Sequence, residues 1–236
     1  MIQSIILYSG IILSFFNPSI KLSSGKRATL YGNGPPLLFS SGLFGTMPNF
    51  VYNKFLNNLK KDFTIITING YSPIIKDDIC DVTKSLCVNS IAYISHSSFN
   101  PEVLECNKIN KAILLDPICI PQLSINGADQ RYIPVNYPVL IIKANKLYDT
   151  EVPLPEWQDP IIDGNVTEIM YKNVGHPDIL DDLWADLAKK YGFWDACDGE
   201  TSEFKKWSFS NTNSINKIRN KYRLFVSKKS RDFIMY

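Results

Sequence analysis

Histidine is nearly missing from this chain. His96 and His176 are the only two in 236 residues, so any chemistry that needs an imidazole must use one of them. The five cysteines (Cys80, Cys87, Cys106, Cys119 and Cys197) are odd in number and fall in no metal-ligand spacing. Reduced thiols in the cytoplasm or another reducing compartment are the simplest reading, with one disulfide plus a spare thiol as the other. A long apolar run is missing too. The most apolar stretch, Met1 to Phe16, is uncharged but diluted by Ser4, Tyr8, Ser9, Gly10 and Ser14. It falls short of the roughly 20 residues that span a bilayer, and it lacks a basic leader and a small-residue cleavage site. It reads as a buried N-terminal element, with membrane association through residues 1–16 as the second reading. There is no internal repeat, and neither a metal nor a cofactor is expected.

What is present is an ordinary apolar content of 45%, enough for one domain with a full core. The formal net charge of +2 hides an asymmetry. Residues 205–236 hold nine of the 25 Lys/Arg and only one acid, Asp232, leaving 16 bases and 22 acids, a net of −6, in residues 1–204. The expected organisation is an apolar segment (1–18), a folded domain (19–194) and a basic C-terminal extension (195–236). Three dispositions suit the extension: a solvated tail, a patch for an anionic membrane or polyanion, or a helix or strand docked on the body through Ile218, Tyr222, Leu224 and Phe225.

Along the domain, apolar strands alternate with short helical patterns. Strands are expected at Pro36–Ser40, Phe63–Ile68, Ser90–Ile94, Lys111–Asp116, Pro138–Ile142 and Val166–Tyr171, after two short strands around Ser23-Ser24-Gly25. Helices are expected at Phe50–Lys61, at Ile79–Cys87 behind Asp77-Asp78, near Pro101–Cys106, and at Asp178–Tyr191. Strands apolar throughout imply an α/β fold with a mostly parallel twisted sheet and helices on both faces.

Chemistry-bearing residues follow these strands in a telling order. A glycine turn, Ser41-Gly42-Leu43-Phe44-Gly45, follows the Pro36 strand. Ser95-His96-Ser97-Ser98-Phe99 ends the next apolar strand, Asp116 and Asp149 follow later ones, and Val174-Gly175-His176 closes the last. Over residues 19 to 191 this order resembles the α/β-hydrolase superfamily, with esterases and lipases among its members. Ile94-Ser95-His96-Ser97-Ser98 resembles its nucleophile elbow, and Val174 to Leu180 its terminal histidine turn.

The resemblance implies an α/β-hydrolase fold with a minimal lid and a serine hydrolase acting on a small-molecule ester or acyl substrate. Ser97 would be the nucleophile, His176 the base and Asp149 the acid, with Asp116 as the alternative acid. Backbone N–H groups of Leu43 or Phe44 and of Ser98 would form the oxyanion hole, each such donor worth roughly 2–4 kcal/mol of barrier. Three residues depart from the family pattern: Ser95 and Phe99 on either side of Ser97, and Ser41 before the glycine turn. Phe99 is the large one, expected to crowd the approach of the following helix. With Phe44, Met47 and Phe50 it is also a candidate for an apolar site mouth. The alternative reading that Phe99 raises is a catalytically inactive hydrolase-fold protein serving as a binding or structural module.

Overall fold

Hydrophobic residues that follow one another along a strand face opposite ways, so each inner strand has two faces to bury. The computed structural model, which describes residues 18–70, 72–118, 132–146, 160–190 and 212–236, buries both. In β3 (Pro36–Ser40), Leu37 and Phe39 enter one core layer and Leu38 the other. The same split separates Ala92 and Ile94 from Tyr93 in β5 (Ile91–Ser98), and Ile113 and Leu115 from Leu114 in β6 (Ile109–Ile118).

Among the described residues, the main sheet has eight strands in the order β1 (Ser19–Lys21), β2 (Arg27–Tyr31), β4 (Thr64–Asn69), β3, β5, β6, β8 (Val139–Lys146) and β10 (Val166–Gly175). Only β2 runs against its neighbours, β1 and β4; every other pair is parallel. Parallel pairs need crossovers, and these supply the helices. On one face lie α3 (Lys76–Leu86) and the single turn α4 (Pro101–Leu104), which contribute Ile79, Val82, Val103 and Leu104 to the core. The other face is covered by the 3-10 turn Asn49–Tyr52 with α2 (Asn53–Leu59), and by the 3-10 turn His176–Ile179, which is followed by α5 (Asp182–Lys190). The short α1 (Gly42–Gly45) follows β3 directly. A separate parallel pair joins β7 (Tyr132–Pro134) to β9 (Ile161–Asp163).

Phe99 neither crowds the elbow nor lines a mouth. After Ser97 the chain stays extended to Asn100, whose side chain caps α4 by accepting the Glu102 N–H at 3.2 Å. Because the helix starts only at Pro101, the Phe99 ring has room to pack in the same core cluster as Val103 and Leu104, at 2% exposure.

Of the basic C-terminal segment, residues 212–236 are described, and they form α6 (Thr212–Met235) docked on the α2 face. Its inward residues recur at helical spacing: Arg219, Tyr222, Arg223 and Val226 are all buried. Lys217, Lys221 and Lys228 point outward. Among the described residues, no helix is long and apolar enough to cross a membrane, and Cys80, Cys87 and Cys106 are free thiols.

Candidate active site

The ends of β5, β6 and β10 and the turn after β3 gather the chemistry-bearing residues. At the end of β5 the pairing with β6 slips: His96 stands opposite Leu115, but Ser98 stands opposite Ile118. Ser97 therefore faces two residues, Asp116 and Pro117. A bulge of this kind re-aims side chains and ends regular pairing. Both Ser97 (φ +64°) and Asp116 (φ +43°) adopt left-handed backbone. Neither is glycine, so each costs about 1–3 kcal/mol that the surrounding sheet must hold in place. The α1 turn leans against this point. A Cβ added to Gly42 would meet Met47 Sδ at 3.0 Å, Tyr52 Oη at 3.2 Å and Ser97 Cβ at 3.5 Å, so a larger residue would push the turn off the serine.

His176 opens the 3-10 turn after β10, with Nδ1 3.8 Å from Asp116 Oδ2. The other Asp116 oxygen accepts the Ala144 N–H of β8, fixing the carboxylate between strands. His96 lies beside His176, its ring stacked at 4.5 Å and 27°. A carbonyl can only accept, so His96 Nε2 donates to the His176 carbonyl at 3.1 Å. Nδ1 is then the acceptor, taking the Tyr52 hydroxyl proton at 2.8 Å. Tyr52 in turn accepts the Gly42 N–H at 2.9 Å. An unbroken polar chain thus ties the glycine turn to the histidine turn through Tyr52 and His96.

Burial sets the protonation states. His96 is depressed from 6.5 to about 4 by desolvation, which its bond to the His176 carbonyl only partly offsets. His176 is held well below the ordinary histidine range, first by desolvation and then by His96. Both rings rest neutral at pH 7, the state in which an imidazole can take a proton.

His96, Asp116 and His176 place one ligand atom each within 4.8 Å of one another. A metal ion suits them poorly, because both His96 nitrogens are already hydrogen-bonded and stacked rings send their in-plane lone pairs side by side rather than to one point. A surface groove of about 340 Å³ between α2 and β2–β4, lined by Asn49, Asn53, Asn57 and Asn69 among others, contains none of the three.

The candidates therefore divide. Ser97, Ser98, Asp116, His176 and the backbone of Leu43 and Phe44 all lie at the same ends of the sheet and its adjoining turns, whereas Asp149 falls outside the described residues. Sequence reading missed Tyr52, Asp178 and Arg219. Tyr52 sits in the apolar stripe of a helix with nothing to mark it. Asp178, three residues after Gly175, carried the spacing of a capping acid.

The mostly parallel eight-stranded sheet covered by helices on both faces is the architecture expected of an α/β-hydrolase fold. No protein-family model matches the sequence, and no curated protein matches it. Solved structures with a similar chain path include an alpha/beta fold family hydrolase from Bacillus anthracis str. Sterne, at 11% identity over 75% of this chain and 97% of that one, with a TM-score of 0.48. Carboxylesterase CesB from Bacillus subtilis is similar at 10% identity, covering 81% of this chain and 96% of that one, with a TM-score of 0.48. Naproxen esterase from Bacillus subtilis gives 12% identity with the same coverage and TM-score.

Proposed function

We propose that this protein is a serine hydrolase that cleaves a carboxylic ester through an acyl-enzyme. One observation carries the reading: Ser97 is held in left-handed backbone at a bulge facing Asp116 and Pro117, and the Asp116 carboxylate approaches a buried, neutral His176. Ser97 Oγ attacks the ester carbonyl while His176 Nε2 takes its proton, and the tetrahedral oxyanion is met by the N–H groups of Ser98 and of Leu43 or Phe44. Collapse expels the alcohol, protonated by His176. Water then repeats the sequence on the acyl-serine and releases the acid. Asp116 would fix the tautomer with Nδ1 protonated and stabilise the imidazolium as it forms. We assign the acid to Asp116 ahead of Asp149 because of its 3.8 Å approach to Nδ1, a separation that need only tighten when substrate binds.

The test is labelling with a fluorophosphonate, followed by turnover of short-chain nitrophenyl esters. Stoichiometric labelling lost in Ser97→Ala is the expected result. Asp116→Asn should lower kcat by about 10³–10⁴-fold, the scale of a lost triad acid, with Asp149→Asn near the parent. The reverse ranking transfers the acid role to Asp149. A second reading, a hydrolase-fold binding module, is favoured by burial alone: Ser97 and His176 are 7% and 3% exposed. Folded protein that neither labels nor turns over ester would decide for it.

A further inference from the structure

We infer that the C-terminal helix α6 is a positioning element for His176, acting through Arg219 and Asp178. The inference rests on the reading of His176 as the base. Asp178 lies two residues after His176 in the same 3-10 turn and is fully buried. One of its oxygens accepts the Gly175 N–H at 2.7 Å, closing the turn that presents His176. The other accepts Arg219 Nε at 2.7 Å. Arg219 is itself 1% exposed and spends its remaining reach on α5, bonding Asp186 Oδ1 at 2.7 Å and the Asp182 carbonyl at 3.2 Å. One turn further along α6, Arg223 grips the Leu180 carbonyl just past the histidine turn and the Asp182 carboxylate at 2.7 Å.

The turn that carries His176 is thus bound at both ends by guanidinium groups from a helix 41 to 43 residues away. A four-residue 3-10 turn has little to define its own geometry. With the arginines in place, the His176 ring is held against His96 and Asp116. Without Arg219, Asp178 becomes a buried carboxylate lacking its cation, and swinging it toward water would drag the Gly175–His176 backbone with it. Since an imidazole misplaced by about 1 Å is enough to cost about 10²-fold in rate, the helix would control turnover without touching substrate.

The test uses the full chain carrying Arg219→Gln, Arg219→Lys and, as a control, Lys26→Met, which breaks an ion pair of the same kind on the other face of the sheet. Ester turnover in Arg219→Gln should fall about 10²-fold in kcat with KM unchanged, Arg219→Lys should recover part of it, and Lys26→Met should leave kcat per folded molecule at the parent value. The second readout needs no activity. With only two histidines, nitrogen-15 imidazole spectra can be assigned with one His96→Gln variant. The His176 signals should move or broaden in Arg219→Gln and stay put in Lys26→Met. A parent protein that never labels with fluorophosphonate overturns the hydrolase reading while the imidazole spectra still test the clamp. His176 signals identical in folded parent and Arg219→Gln protein would overturn the clamp itself.

Discussion

Two buried aspartates close two turns by the same local device, one on each face of the sheet, and only one of the turns bears a chemically useful side chain. Asp78 accepts the Ile75 N–H at 3.0 Å, and Asp178 accepts the Gly175 N–H at 2.7 Å. In both, the carboxylate three residues into the helical turn reaches back to the residue before it, which is half of a capping box. Neither isoleucine nor glycine has a side-chain acceptor to complete the other half. Each carboxylate is fully buried and answered by one cation from a distant element: Lys26 for Asp78 and Arg219 for Asp178, both at 2.7 Å. The difference lies in what the cap holds. Asp78 fixes the start of α3, a core helix, whereas Asp178 fixes the backbone of His176. The same physics serves stability alone in one place and stability plus site geometry in the other.

Removing one partner is the strongest way to break this likeness. Asp178→Asn leaves Arg219 buried with a weaker answer to its charge, and losses of about 3–5 kcal/mol follow when one member of a buried pair goes. Lys26→Met strands Asp78 and should cost a similar amount. Urea melts should therefore rank the two variants together. Ester turnover measured on the folded fraction should separate them, with Asp178→Asn depressed about 10²-fold and Lys26→Met unchanged. Equal turnover in the two would mean that the His176 turn holds its shape without its cap.

How much of this was legible in the sequence follows from the range over which each feature is encoded. The sheet was readable because strands such as Thr64–Asn69 and Ile109–Ile118 carry consecutive apolar residues, Ile65-Ile66 and Ala112 to Leu115, which suit a strand covered on both faces. That Ser97, Asp116 and His176 lie toward the same end of the sheet was readable because each sits at or just past the end of a parallel strand. Phe99 misled because its cost depends on where the next helix starts. That is set by Asn100 and Pro101, a cap and a first-turn proline that the sequence does contain. The hidden features are long-range. Nothing local says that the arginines of a lysine-rich tail face inward, or that Tyr52 in an apolar stripe carries the hydrogen bond between Gly42 and His96.

A smaller effect should appear on acidification, and it separates the histidine face from the Asp78 face. In the fold His96 titrates at about 4 rather than 6.5, so between these values the unfolded chain binds a proton that the folded one refuses. Stability is therefore full above pH 6.5 and declines as pH falls through the window, by about 3 kcal/mol when it is crossed. His176, depressed in the same direction, adds to the slope. Melts from pH 7 to pH 4 should show this decline, and His96→Gln should flatten it. The acid limb of kcat/KM should also lie below the ordinary histidine range, since the base stays neutral there.

The smallest effect belongs to the outer face of α6, where charge is plentiful and consequence slight. Lys217, Lys221 and Lys228 are exposed, while Arg219 and Arg223, on the inner side of the same helix, are the two largest fully buried side chains among the described residues. An exposed ammonium is solvated before and after folding, so its removal leaves no stranded partner. Each Lys→Ala change should shift stability by no more than about 0.5 kcal/mol, against several for Arg219. Urea melts of the triple lysine variant beside Arg219→Gln would check the ranking. If the lysines proved the costlier loss, the helix would be held by its outward charge and not by the two arginines beneath it.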